Sequence, residues 1–393
     1  HQHYAQSDMA NNPGPDGKLA PRLQNLGMHT FPVSTRNKLA QQYINQGLNL
    51  AYGFNHAEAR RAFREAARLD PGLAMAYWGQ ALVLGPNINA MMEPKDEATA
   101  LDFVRKAASL MAKASPREQA LISALEKRYT GSPEQRKASN KAYADAMREV
   151  HTRFPDDLDI AMLYVEAMMD LNSWGYWMRD GYPIGGTAEI VALTENVIRR
   201  NPKHPGAVHM YIHLVEPTST PERAEKAADT LLTLMPAAGH AVHMPSHIYQ
   251  RVGRYADAIK SNQLAIAADE EYLSHSDVQG LYPIMYTPHN IHFLWFAATM
   301  DGQSRLAIES ARKVAGTIDD AALEAVPGTG IFRVTPYWAY ANFGSGTRFC
   351  RNRRHRLPTL SLRGAGIMCA AWRSRQPGSC RRLSKSWKRC AGS

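Results

Sequence analysis

The first 344 residues contain no cysteine; all four (Cys350, Cys369, Cys380 and Cys390) fall between 345 and 393. A disulfide framework and a Cys-based zinc motif are thereby excluded for the body of the chain. No apolar run reaches about 18 residues, so no membrane-spanning helix is expected. Alternating strand patterns, a Gly-rich phosphate loop and a G-x-S-x-G elbow are also missing, which argues against sheet-based nucleotide-binding and hydrolase classes. No signal peptide is visible. Because the chain starts at His1 rather than Met, it reads as processed or as a piece of something longer.

Acidic residues are missing from one region only. Between 345 and 393 there are 13 of the 46 Lys and Arg and no Asp or Glu, so the first 344 residues carry 33 basic and 36 acidic side chains. The net charge of +10 therefore belongs to the tail. Such a basic tail would ordinarily point to nucleic acid or an anionic membrane. Here helical patterning stops abruptly where the tail begins. Codons can also be chosen so that another frame reads an amphipathic helix beginning WDAILQ. Residues 345–393 are therefore read as a frameshift product, to be tested by resequencing around the codons for Gly344 and Ser345. The tail and its cysteines are given no function, and a nucleic-acid partner is not expected.

What is present is helix. Residues 1–35, rich in Asn, Pro, Gly and Gln, read as an extended lead-in, and His1 and His3 as part of a loose end. From about Asn37 to Gly344 the pattern is a right-handed solenoid of seven or eight helix pairs, an all-α architecture of the tetratricopeptide-repeat (TPR) type. Ala59, Phe63, Ala66 and Pro71 hold the spacing of the second helix of such a repeat. Ala224 and Pro236, then Gly253, Tyr255 and Ala258, then Gly302 and Ala307, repeat it. Insertions interrupt the array at Asn87–Pro94 and at the Trp-rich stretch NSWGYWMRDGYPIGGT, and a longer loop spans 270–287.

Three segments carry close histidine pairs: His209 and His213, His243 and His247, His289 and His292. The spacings are i,i+4 twice and i,i+3 once, so each pair shares a helical face. The first two pairs are 34 residues apart, one repeat length. Repeat numbering puts His209, His243 and His292 at position 5 and His213 and His247 at position 9. Glu216 falls at position 12, His289 at position 2, and Glu166 and Asp170 at positions 9 and 13 of the preceding repeat. In general repeat geometry these positions face the concave groove. Helices about 8–10 Å apart let imidazoles from neighbours converge on one ion. The expected metal ligands are His209, His213, His243, His247, His289 and His292, with Glu216 as a further ligand or orienting group. The expected ion is a divalent transition metal: Zn, Fe, Cu or Mn. Glu166, Asp170 and Glu216 are the candidates for a general base. The plainer alternative is a set of satisfied, partly buried side chains. Trp174, Tyr176 and Trp177 read either as a lid or as an insertion packed on the edge. Tyr249, Tyr282, Tyr286 and Trp295 read as packing aromatics.

The stretches LAYGFNHAEARRAFREAARLDP, MAYWGQALVLGPNIN, HPGAVHMYIHLVE, GHAVHMPSHIYQRVGRYADAI and YTPHNIHFL resemble a family of bacterial TPR proteins, over about residues 30–344. The resemblance implies a helical-repeat fold and, since members are often exported, a periplasmic or secreted setting. It implies no activity. After Gly344 the family pattern continues with Arg-Trp-Asp and a final repeat, which this chain lacks. Three functions follow for comparison. One is a groove that binds a peptide, protein or small ligand and carries a metal site. Another is a metal-dependent hydrolase or oxidoreductase at that site. The third is a peptide-binding adaptor without metal.

Overall fold

The computed structural model describes residues 17–275 and 282–343. The expectations for His1, His3 and the basic tail lie outside those residues. Helices pair along the chain as α1 Lys38–Tyr52 with α2 His56–Leu69, α3 Ala74–Leu82 with α4 Asp96–Ser109, and α5 Pro116–Leu125 with α6 Arg136–Arg153. They continue as α7 Leu158–Asp170 with α8 Thr187–Arg200, and α9 Pro205–Val215 with α10 Glu225–Leu234. Next come the broken helix α11 Gly239–His243 and α12 Pro245–Arg251 with α13 Tyr255–His275, then α14 Thr287–Met300 with α15 Ser304–Gly316. A short α16 Asp320–Ala325 and the single helix α17 Gly330–Asn342 close the described array. The architecture is the all-α repeat solenoid expected. Among the described residues there is no strand, and no helix is long and apolar enough to cross a membrane.

Local chemistry sets the helix boundaries. Asn37, Asn55, Ser115, Asp157 and His204 each accept a backbone N–H from the first turn of the helix they precede, filling donors that a helix leaves open. At Ser115 the reciprocal contact from Glu118 completes a capping box. Small residues then set the pairing distance. Phe63 is fully buried, and a Cβ at Gly47 or Gly79 would stand 2.7 or 2.4 Å from its ring. Only glycine lets α1 and α3 close on that side chain.

The array departs from a simple stack in two ways. Residues 17–37 form a strap across four units. The Leu19 N–H donates to Glu65 (3.0 Å), the Ser34 N–H to Glu118 (2.7 Å) and the Ala237 N–H to the Asn25 carbonyl (3.0 Å). His29 pairs with Asp159 at 2.8 Å, while Ala20, Leu26 and Phe31 are the strap's own buried apolar side chains. In addition, the first pair touches units far along the chain. A Cβ at Gly206 of α9 would meet the Tyr52 ring at 2.6 Å, and the Tyr272 hydroxyl of α13 donates to Glu58 of α2 (3.2 Å). Repeats normally contact only their neighbours; here the start of the array covers the face that carries the histidines.

Candidate metal centre

The histidines are buried under that covering, which corrects the expectation of an open channel. His209 and His243 are 0% exposed, His213 1%, His240 2% and His247 7%. Two groups of three have ring nitrogens all within 4.8 Å of one another: His209, His213 and His240, then His243, His247 and His289. The first draws on α9 and α11, the second on α11, α12 and α14. Pro245 lacks an N–H and stops α11 at Met244, so His243 and His247 face each other across the restart of the helix.

Oxygen acceptors draw the proton to Nδ1 in three of the four paired histidines, His209, His243 and His247. His209 Nδ1 lies 2.5 Å from the Tyr52 carbonyl, an oxygen left open at the end of α1. A carbonyl only accepts, so Nδ1 bears the hydrogen and Nε2 keeps its lone pair. His243 Nδ1 faces Asn262 Oδ1 at 2.7 Å, and the Asn262 Nδ2 donates to the Ala258 carbonyl (2.8 Å), which orients that amide as an acceptor. His247 Nδ1 faces Glu216 Oε2 at 2.6 Å. His213 Nδ1 lies 3.4 Å from Glu216 Oε1, within ion-pair range but without a hydrogen bond.

The paired Nε2 atoms face each other at 3.1 Å for His209–His213 and 3.0 Å for His243–His247. Two lone pairs at that distance repel unless a proton or a metal cation lies between them. With metal–nitrogen bonds of about 2.0–2.1 Å and angles between 90° and tetrahedral, two imidazole donors on one ion sit roughly 2.9–3.4 Å apart. Both separations fall in that range. His240, whose two ring nitrogens are buried without a partner, supplies a third donor to the first group. The Nδ1 partners are a backbone carbonyl, an amide oxygen and a carboxylate, the usual orienting groups around metal-bound histidine.

Electrostatics agree with donors kept neutral. Burial, reinforced by neighbouring imidazoles, pushes His209, His240 and His243 well down, lowers His213, and brings His289 to about 3. Against the upward push of burial, His247 and His213 hold Glu216 well below the usual carboxylate range. One anion thus spans the two groups, touching a histidine of each.

Aromatic rings seal the cluster. Phe54 lies 4.5, 5.7 and 5.4 Å from His209, His213 and His240. Phe293 lies 4.7, 4.5 and 4.5 Å from His243, His247 and His289. On the open side a cavity of about 280 Å³ has His213, His240, His247 and His289 as its floor, with Asn89, Ala90, Trp174, Met285, Tyr286 and Phe332 around it. Trp174 stands edge-on to His213 at 5.1 Å, so part of the Trp-rich insertion does cover the site. Trp177 instead donates its indole N–H to the Leu214 carbonyl (2.7 Å), and Tyr176 is buried. Of the packing aromatics, Tyr249, Tyr282, Tyr286 and Trp295 are all buried, and Tyr286 also packs on His240 at 4.7 Å.

The remaining site residues are placed elsewhere. His292 packs on Trp295 (4.9 Å) and Phe332 (5.4 Å), outside both groups of three, and burial lowers it to about 4. Asp170 is taken up by a buried ion pair with Arg128 at 2.6 Å. Burial, then repulsion from Asp170, raises Glu166, so it sits as a protonated acid beside that pair. Sequence reasoning missed His240, although its i,i+3 spacing to His243 in GHAVH is the same kind of signal. It also missed Phe54, which nothing local connects to histidines over 150 positions away.

A third group, His29, Asp159 and His204, meets the same distance criterion but differs in its protons. The Tyr52 hydroxyl (2.9 Å) and His29 Nε2 (2.8 Å) both point at Asp159 Oδ1. His204 Nδ1 accepts the Ala207 N–H (3.3 Å), which leaves the proton on Nε2, 3.3 Å from the same oxygen. Here donors converge on a carboxylate, and the group works as a clamp for the strap.

No family model and no curated protein matches this chain. Among solved structures it is similar to the human IFIT1 dimer with m7Gppp-AAAA, at 13% identity and a TM-score of 0.44, over 81% of this chain and 68% of that one. It is also similar to the TPR2AB-domain:pHSP90 complex of yeast Sti1, at 13% identity and a TM-score of 0.24, over 76% of this chain and 98% of that one. Both likenesses are distant ones between helical arrays.

Proposed function

We propose that this chain is a metalloprotein whose helical array carries two adjoining three-histidine metal positions, linked by Glu216. The observation that carries this reading is the facing of Nε2 atoms at 3.1 and 3.0 Å, with Nδ1 of His209, His243 and His247 engaged by oxygen acceptors from behind. Imidazole-rich sets suit Cu, Zn, Fe or Ni, and the scarcity of carboxylate at the ligating atoms moves the preference away from Mn. Three protein donors per ion leave a coordination position for a small ligand, the arrangement of a catalytic rather than a closed structural site. The cavity opens onto that position from both groups.

The arrangement favours chemistry on a small molecule over the peptide-adaptor reading. A groove for an extended peptide would be long and solvent-lined; the histidines instead lie under α1, α2 and the Trp174 loop. Glu216 would orient ligands and balance charge. Glu166, raised by burial and by Asp170, lies outside the histidines' hydrogen-bond network, which does not favour it as the general base.

Metal analysis of the purified chain tests the reading. About two equivalents of a transition metal are expected, dropping to one or fewer in His243→Ala/His247→Ala with helicity retained. Sub-stoichiometric metal, unchanged by the double substitution, would refute it.

A further inference from the structure

The cavity above the histidines has a composition that selects its occupant. At about 280 Å³ it is at the small end of ligand pockets. An enclosed apolar space of about 150 Å³ is enough for benzene, so this one takes a single ring with small substituents. Trp174, Met285, Tyr286 and Phe332 supply aromatic and thioether walls, and among the described residues no Lys, Arg, Asp or Glu lines it. A charge on the body of a ligand would therefore be desolvated without a partner. The polar lining residues are the histidines of the floor, Asn89 and Tyr286, whose hydroxyl is buried without a hydrogen-bond partner.

Backbone strain points to the same place. Only three described residues other than glycine have positive φ: Asn25, Phe54 at 57° and Trp174 at 64°. Bulky side chains rarely hold that conformation, and it persists only where the surroundings impose it. Phe54 and Trp174 are the two rings that flank His213, one behind and one in front. Phe54 is buried and repaid by packing. Trp174 is 48% exposed and obtains little from burial. A strained, half-exposed indole held edge-on over a ligand floor is accounted for by a ring that packs against it.

We infer that the site takes a small phenol-type molecule: one uncharged aromatic ring packed against Trp174 and Phe332, with its hydroxyl end on the histidine floor. The inference deepens the metal reading by naming a ligand class, and rests on it only for what the hydroxyl end meets. The ring's contacts exist with or without an ion.

Catechol is the probe, titrated calorimetrically into the full chain as purified and after chelator treatment. The test variant is Trp174→Gly, because glycine accepts the positive φ without strain and the variant should fold at least as well as the parent. Saturable binding near one equivalent is expected in the parent, at least tenfold weaker in Trp174→Gly. Benzyltrimethylammonium and trialanine should bind at least tenfold more weakly than catechol. An unchanged catechol affinity in Trp174→Gly, in whichever form binds, would overturn the inference, as would absence of binding in both forms or trialanine binding as tightly as catechol. Failure of the metal reading is read separately, from metal content: catechol binding that survives chelation and falls in Trp174→Gly upholds the ligand class even in a metal-free protein.

Discussion

Metal uptake by this site should displace fewer protons at pH 6 than a set of ordinary histidines would. An ordinary imidazole has a pKa near 6.5, so about three-quarters of such groups are protonated at pH 6. Five ordinary histidines would then release about four protons on binding metal. In this structure His209, His213, His240, His243 and His289 are all lowered, mainly by burial, with His289 at about 3. A lowered pKa means that a larger share of the neutral, ligating form is present at pH 6 than for an ordinary imidazole, and protons compete at lower pH. Calorimetric titration of the chelator-treated chain with Zn²⁺ at pH 6, in two buffers of different ionisation enthalpy, gives the proton count. A release well below four protons is expected. A release near four would mean that the metal-free cluster is open to water, and would refute the buried, pre-set donor arrangement.

Further predictions test the supports of the site. Asn262→Leu removes the acceptor behind His243 Nδ1 at 2.7 Å; metal affinity should fall about 10–100-fold, measured by competition with a chromophoric chelator, with the circular dichroism spectrum unchanged. Gly206→Ala puts a Cβ 2.6 Å from the Tyr52 ring. Urea denaturation should show a loss of about 1–3 kcal/mol, and metal binding should weaken as well, because the Tyr52 carbonyl holds His209. Arg128→Met leaves Asp170 buried without its partner and should cost about 3 kcal/mol in the same assay; an unchanged midpoint would show that Asp170 is neutral in the parent.

Much of this was legible in the sequence because helices repeat at 3.6 residues and the units at 34. Those two periods are enough to bring His209 with His213, and His243 with His247, onto related faces. They also place the last helix, α17, at the FRVTPYWAYANFG stretch. Periodicity assigns faces but not the closure of the array on itself. His292 shares a repeat position with His209 and His243, yet the pitch of α14 turns it toward Trp295 and Phe332. Asp170 shares the same general face, yet Arg128 from the preceding pair claims it. Phe54, the Tyr52 carbonyl and the strap residue His29 come from contacts between units four or more apart, and no short-range pattern encodes such contacts. The turn YGFNHAEA does carry one clue: Asn55 caps α2, which leaves Phe54 in a positive-φ position where a large apolar side chain is out of place unless something distant needs it.

The facing Nε2 atoms of His209 with His213, and of His243 with His247, are proposed to share metal ions. X-ray absorption on the metal-loaded chain measures this most directly. The account predicts an inner shell dominated by nitrogen at about 2.0–2.1 Å, with the multiple-scattering signature of imidazole and about two ions per chain. An oxygen-dominated shell without imidazole scattering, or no ion retained at stoichiometric loading, would contradict it.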